Sequence, residues 1–547
     1  MSTLLAACGD SDNDGVIGGG NGNDPGTDTP SASQQALNSG TIHGFSSIIV
    51  NGVHYDEENT AITIDNATAS QEDLRLGMVV DVIGPIDDNG LTGDADTLVV
   101  NSALTGPVSE IDATGNSFTV LGTSVLTNEA TIFDGLETLT DLAADDRMII
   151  HGFADNEGNL YATRVERDDS ITPSNEMRVT GTVTNRSDTS FQVNGVRVLY
   201  NAAVIADVTG GAIENGMRVR VSGLLTEDTG TDTGTDTGTD TGTDTGTDTG
   251  TDTGTDTGTD TGTDTGTDTG TDGTGTDTPP VGEDTSGAGG EDNASGSDIP
   301  VVATISASTV REMISLFDDR DGERTELEGI VTALRSATDF DVNGEPVNVA
   351  AGAEVTGTPV LGSRVEIEGV ISGDILDASM VHVKAEEDLG KVWLVGPLDG
   401  LNAGESSFTM LDDSVTVEWN GDTVFDESSL TQGESSLADN LRIAVEGRIN
   451  GDSIIAEQVS VAPEDGTLLI TSGQVADLDT QGQTFSLRNG ELTVSWDDDT
   501  RFDETSLPDG AASITNDQEI IVYGREQEDQ FIATSIRVNT PPSGPQL

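Results

Sequence analysis

The stretch WDDDTRFDE, Trp496 to Glu504, gathers Asp497, Asp499, Asp503 and Glu504 into one short segment, and WNGDTVFDE, Trp419 to Glu427, mirrors it. Calcium takes six to eight oxygen ligands, so carboxylates at this density could supply several. A strand sends neighbouring side chains to opposite faces, however, and neither segment carries the glycine-anchored loop of an EF-hand. The expectation is a solvated acidic turn beside a core Phe, with no metal site assigned. Trp419 and Trp496 could stack on sugar rings; at equivalent places in two copies of a repeat, they are expected to pack instead. The four histidines, His43, His54, His151 and His382, show no metal-binding or catalytic spacing, and each reads as a strand residue. No G-x-S-x-G elbow, P-loop or dinucleotide fingerprint occurs. Carboxylate pairs for glycoside hydrolysis are so abundant that none stands out. The expectation is a protein that is not an enzyme, with no catalytic residue and no cofactor.

The single cysteine, Cys8, excludes an intramolecular disulfide and a Cys-based zinc site. Leu5-Ala6-Ala7-Cys8 resembles the lipobox of bacterial lipoproteins, which makes Cys8 the candidate lipidation site. A signal peptide needs a basic n-region and a longer apolar h-region. Only MSTL precedes the lipobox here, so either the start lies further upstream or the match is chance. Gly9 after the cysteine resembles the outer-membrane sorting pattern, and residues 9–39 read as a polar, disordered tether. Together these imply an outer-membrane lipoprotein of the bacterial cell envelope, touching the membrane only through its lipid anchor.

Acidic residues number 99 against 22 basic ones, a formal net charge of −77. Such a surface repels phosphate backbones, whose capture needs clustered Lys and Arg, so nucleic acid is not an expected partner. An envelope protein or a glycan is. No segment approaches the run of about 18 apolar residues that a membrane-spanning helix needs.

Internal repeats dominate the chain. GTIHGFSSIIVNGVHY from Gly40 recurs as GTVTNRSDTSFQVNGVRVLY from Gly181 and GIVTALRSATDFDVNGEPVNV from Gly329. Weaker copies begin at Gly106, Gly396 and Gly473. Alternating apolar and polar residues mark half-buried strands. The Asn-Gly pairs at Asn51, Asn194 and Asn343 mark tight hairpins, because both residues accept positive φ. Each copy closes with a second strand pair such as GMVVDVIG followed by DADTLVVN. A short helical stretch such as TASQEDLRLG, from Thr68, precedes that pair. Three strands, a short helix, then two strands is the order of an OB-like barrel, with a plain β-sandwich as the alternative. The chain thus reads as all-β, with about six repeats of five to six strands each. They span residues 40–104, 105–170, 177–312, 325–388, 392–464 and 470–540, with a tail over 541–547. Units this small bury little surface alone, so end-to-end contacts between neighbours are expected. VREMISLFDDRDGER, from Val310, reads as an amphipathic helix bridging the third and fourth units.

The third copy lacks a partner strand directly after GMRVRVSG. A Thr-Asp-Gly tract follows instead, and VVATISASTV, from Val301, fits the missing strand. The tract, residues 226–298, therefore reads as an overgrown loop inside the last hairpin of the third barrel; the rival reading, a linker joining three N-terminal units to three C-terminal ones, leaves the third unit one strand short. Lengthening a loop from about four to about seventy residues costs only ~2–3 kcal/mol of closure entropy. Calcium-binding β-roll repeats need a large apolar residue in each turn, and Thr-Asp-Thr-Gly has none. The tract is expected to be disordered.

The pattern resembles the bacterial domain of unknown function numbered 5666. The resemblance rests on an opening Gly-x-Ile/Val, a Phe-x-Val-Asn-Gly hairpin (Phe191 to Gly195), and a Thr followed by an apolar residue (Thr131, Thr423), with Thr500-Arg501-Phe502 at the same place in the sixth copy. A Gly-x-x-Val-x-Val-x-Gly strand and a closing Ala-x-x-Val strand complete it. The glycine that opens the fourth strand stands as Gly77, Gly216 and Gly362; the second, fifth and sixth copies have Asp145, Asn440 and Asp517 there. These motifs are turn glycines and core positions. The resemblance implies repeated β modules on an exported lipoprotein, with no active site.

Overall fold

The computed structural model describes residues 35–538, apart from 46, 57–58, 88–89, 169–175, 202–203, 207, 387, 412, 427–428, 463–468, 488–491, 498–499, 503–505, 528–529 and most of 227–302. Among the described residues every element is a β-strand or a short 3-10 turn. No helix there is long and apolar enough to cross a membrane.

The second repeat displays the topology. Its first strand, Leu104–Asp112, pairs antiparallel with Ser117–Val120, which pairs antiparallel with Thr123–Leu126. That third strand lies parallel to the fifth, Leu160–Arg167. The fifth pairs antiparallel with the fourth, Arg147–Ala154, which closes on the first. The order 1-2-3-5-4-1, with strands three and five parallel, is that of an OB-type barrel. Strands Arg324–Ser336, Asp339–Val342, Glu345–Thr356, Arg364–Ser372 and Ile375–Val383 repeat it in the fourth unit. The first unit closes likewise, with its last strand broken into Thr92–Asp94 and Thr97–Val100. The expected helical stretches are single 3-10 turns, such as Gln71–Asp73.

Three recurrent contacts explain the motif. Phe118, Phe191, Phe340, Phe408 and Phe485 hold one position of the second strand, each at most 2% exposed, and fill their barrels. The Thr before the short strand donates its hydroxyl to the carbonyl of the closing Ala: Thr131 to Ala162 (2.9 Å), Thr423 to Ala456 (2.7 Å), Thr500 to Ala533 (2.7 Å). The hairpin Asn reaches the first strand next to the opening glycine, as Asn194 to Thr180 O (3.2 Å) and Asn343 to Glu328 O (3.0 Å).

Two backbone positions account for the glycine pattern. The residue opening the fourth strand has positive φ in all six units: Gly77 (79°), Asp145 (70°), Gly216 (91°), Gly362 (82°), Asn440 (66°) and Asp517 (65°). Asp and Asn are the non-glycine residues that best tolerate this region, so the three departures preserve the geometry. The glycine ending the motif sits at a bulge against the fifth strand. A Cβ there would lie 2.1 Å from Tyr161 O at Gly152 and 2.3 Å from Asp377 O at Gly369, so no side chain fits.

In the third unit, Arg218–Leu225 pairs antiparallel with Ala303–Glu312, and the Thr-Asp-Gly tract lies between them. Most of the tract expected to be disordered lies outside the described residues. Its described residues form two-residue parallel pairs, Thr235 with Thr251, Thr239 with Thr255 and Thr243 with Thr259. The perfect tetrad period lets each Thr-Asp dipeptide meet a copy sixteen residues on, and Thr favours extended backbone.

The amphipathic helix expected from Val310 is also corrected. Val310 and Glu312 belong to the strand Ala303–Glu312, and turns follow it. Phe317 enters the fourth barrel's core, fully buried, while Ser315 Oγ and Leu316 N–H donate to Glu345. Tertiary burial of one aromatic outweighs the helical periodicity.

Contacts between units are not confined to chain neighbours. The first strand of the first unit, Gln35–Phe45, runs parallel to the first strand of the fourth, with Ala36 opposite Arg324. Its far end lies parallel to Lys391–Pro397 of the fifth, with Gly44 opposite Trp393. Open edges at each first strand make this pairing available.

Candidate functional site

Cys8 lies outside the described residues, as do Asp499, Asp503 and Glu504. Asp497 closes its own turn: its carboxylate accepts from Thr500 N–H (3.1 Å), and its N–H donates to Thr500 Oγ1 (2.9 Å). In the mirrored segment Asp426 meets Ser429 and, from the next barrel, Arg501 (2.8 Å). No group of three His, Cys, Asp or Glu side chains able to hold a metal occurs among the described residues. Trp419 and Trp496 are buried and stack on Phe408 and Phe485, with centroids 5.9 and 5.8 Å apart. They are core residues, closed to a sugar.

All four histidines lie in strands. Burial holds His43, His54 and His151 at about 4, so all three are neutral at pH 7. His54 Nε2 faces the Ile470 N–H of the sixth unit at 3.3 Å. It therefore belongs to a seam between barrels.

What the structure adds is a set of buried charges between barrels. Glu328, with a fully buried side chain, sits on the first strand of the fourth unit. It meets Arg364 at 3.0 Å and Lys384 at 3.2 Å within its own barrel. From the first barrel, Thr41 N–H donates to it at 2.9 Å and His43 approaches to 3.8 Å. Burial would raise Glu328, but Arg364 and Lys384 outweigh it and hold the carboxyl well below the usual range. Burial would lower Lys384, and Glu328 and Glu366 raise it instead. The cluster is thus an ionised lock joining the first and fourth units. A second lock joins the fifth and sixth, where Tyr523 and Arg537 both bond Glu446. A pocket of about 150 Å³ opens beside the first lock, lined by His43, His54, Glu366, Lys384 and Trp393. Sequence reasoning passed over Glu328, because a Glu alternating with apolar residues reads as solvent-facing.

A second, larger cleft of about 550 Å³ lies where the first four units meet. Asp81, Gly158, Arg218, Arg220 and Thr332 mark its walls.

No curated protein matches the chain. The family model of a domain of unknown function, DUF5666, matches residues 105–166, 180–231, 328–382, 395–460 and 472–537. The second match stops at the tract, leaving the fifth strand Ala303–Glu312 of that barrel beyond it. The first unit lies outside the matched residues yet folds with the same strand order. With more than half its length matched, in five tandem copies, the chain belongs to the DUF5666 family.

Proposed function

We propose that the protein is a non-enzymatic lipoprotein of the bacterial cell envelope whose barrels form one rigid interaction scaffold. The observation that supports this reading is the way the units join. Strand pairing and buried ion locks fix non-neighbouring barrels to one another, as Glu328 does for the first and fourth. Small barrels with filled interiors leave recognition to the surfaces and clefts between them. His151, Trp419 and Trp496 are spent on packing, while His43, His54 and Trp393 line the pocket beside the first lock. An acidic exterior suits an exported protein that must stay soluble beside the membrane. The partner class is an envelope protein or a glycan, held without turnover.

Fractionation tests the location. Expressed from its gene with the upstream codons included, the protein is expected in the outer-membrane fraction, labelled by a radioactive fatty acid. Cys8→Ala is expected to abolish both label and membrane association. An unlabelled, cytosolic product from the unaltered gene would overturn the envelope reading.

A further inference from the structure

Arg218 and Arg220 lie two residues apart on the fourth strand of the third unit, Arg218–Leu225, so their side chains leave one face about 7 Å apart. Both line the 550 Å³ cleft. In this acidic chain, buried guanidiniums find carboxylates: Arg147, Arg164, Arg178, Arg364 and Arg537 each meet one. Arg218 and Arg220 do not, among the described residues. Arg218 donates to a carbonyl, Asn343 O, at 2.8 Å. Arg220 Nε is buried with no partner, as is the hydroxyl of Thr180, which stands opposite Arg220 in the ladder.

The carboxylates that act on the two arginines have closer partners: Glu345, near Arg218, accepts from Ser315 and Leu316, and Asp65, near Arg220, pairs with Arg178 at 2.6 Å. Asp155 accepts the N–H groups of Glu157 and Asn159 on its own loop. Asp81 accepts the Ser39 hydroxyl at 2.7 Å, and burial raises its pKa although Arg220 acts to lower it. Burial also lowers both guanidiniums, a cost that an incoming anion would offset.

We infer that this cleft binds a small hydroxylated molecule bearing one oxyanion, a carboxylate, sulfate or phosphate on a sugar-sized body. The two guanidinium forks receive the oxyanion, since their planar donors match its oxygens. The Thr180 hydroxyl and the amide of Asn101 on the cleft wall address the hydroxyls. A cleft of this volume suits a mono- or disaccharide. This goes beyond the scaffold reading and holds or fails independently of membrane anchoring.

Calorimetry on the purified full-length chain tests it, with glucuronate, glucose 6-phosphate and glucose as probes. Saturable binding is expected for one or both charged sugars, the stronger naming the preferred oxyanion, and none for glucose. Arg220→Gln and Arg218→Gln should each weaken binding roughly tenfold or more, with melting curves showing the fold retained. Asp81→Asn should leave affinity unchanged or raise it. Failure of both charged probes at millimolar concentration, equal binding of glucose, or loss of binding in D81N would overturn the inference. So would full affinity in either arginine variant, which keeps it falsifiable should one of the two fail to fold.

Discussion

Val221 and Val310 stand opposite each other in one antiparallel ladder, although the whole Thr-Asp-Gly tract lies between them in the chain. Both are fully buried in the core shared by the second and third barrels. The tract is therefore an insertion in a hairpin, and the third unit is completed by residues beyond it.

The two glycine positions of the repeat differ in kind, and substitution should separate them. Gly369→Ala puts a Cβ 2.3 Å from the backbone oxygen of Asp377 and should cost about 1–3 kcal/mol, read by chemical denaturation. Gly216 has φ 91° with open space around it. Gly216→Asn should cost less than about 1 kcal/mol, whereas Gly216→Val should lose about 1–2 kcal/mol or more.

Thr500→Val removes a hydroxyl that donates to Ala533 O and accepts from Asp497 N–H. A buried carbonyl is left without its donor, so stability should fall by about 1–3 kcal/mol in a urea titration. Loss of no more than a few tenths would show that the Thr–Ala bond is incidental to the motif.

Glu328→Gln leaves Arg364 buried without its anion and Lys384 with Glu366 alone, and should destabilise the protein by about 3–5 kcal/mol. Its pKa is depressed in the folded state, so the wild-type carboxylate contributes stability above the ordinary carboxylate range. That contribution is lost as pH falls through the lower folded value. The E328Q variant should therefore show a flatter acid limb than the parent below about pH 4.

Burial of the neutral histidines sets a second pH window. His43, His54 and His151 sit near 4 in the fold against 6.5 ordinarily. Between those values the unfolded chain takes up protons that the fold refuses, so stability is full above about 6.5 and declines toward 4. His54→Gln should reduce the slope of unfolding free energy against pH by about 1.4 kcal/mol per pH unit within that window. An unchanged slope would place His54 in solvent.

Much of the fold was legible because its signals are local. Asn51-Gly52 and Asn194-Gly195 announce hairpins by accepting positive φ, and they do so here at 49°, 76°, 49° and 81°. Asp145, Asn440 and Asp517 looked like breaks in the motif, yet they satisfy the same backbone demand. The fifth strand of the third unit was legible from the gap it left. The inter-barrel locks were not legible. Glu326 and Glu328 point away from their own barrel, as solvent-facing residues do, and only the neighbouring first strand of another unit turns that face into an interior. The segment after Val310 misled for a related reason, since Phe317 answers to the fourth barrel and not to helical spacing.

The insertion itself is most directly tested by replacing residues 230–300 with a four-residue turn and following thermal unfolding. If Val221 and Val310 share a hairpin, the shortened chain should keep the parent's β spectrum. It should also gain up to about 2–3 kcal/mol from the smaller loop closure. Loss of cooperative unfolding in the shortened chain would mean that the two strands do not pair, and that the third barrel is not built as described.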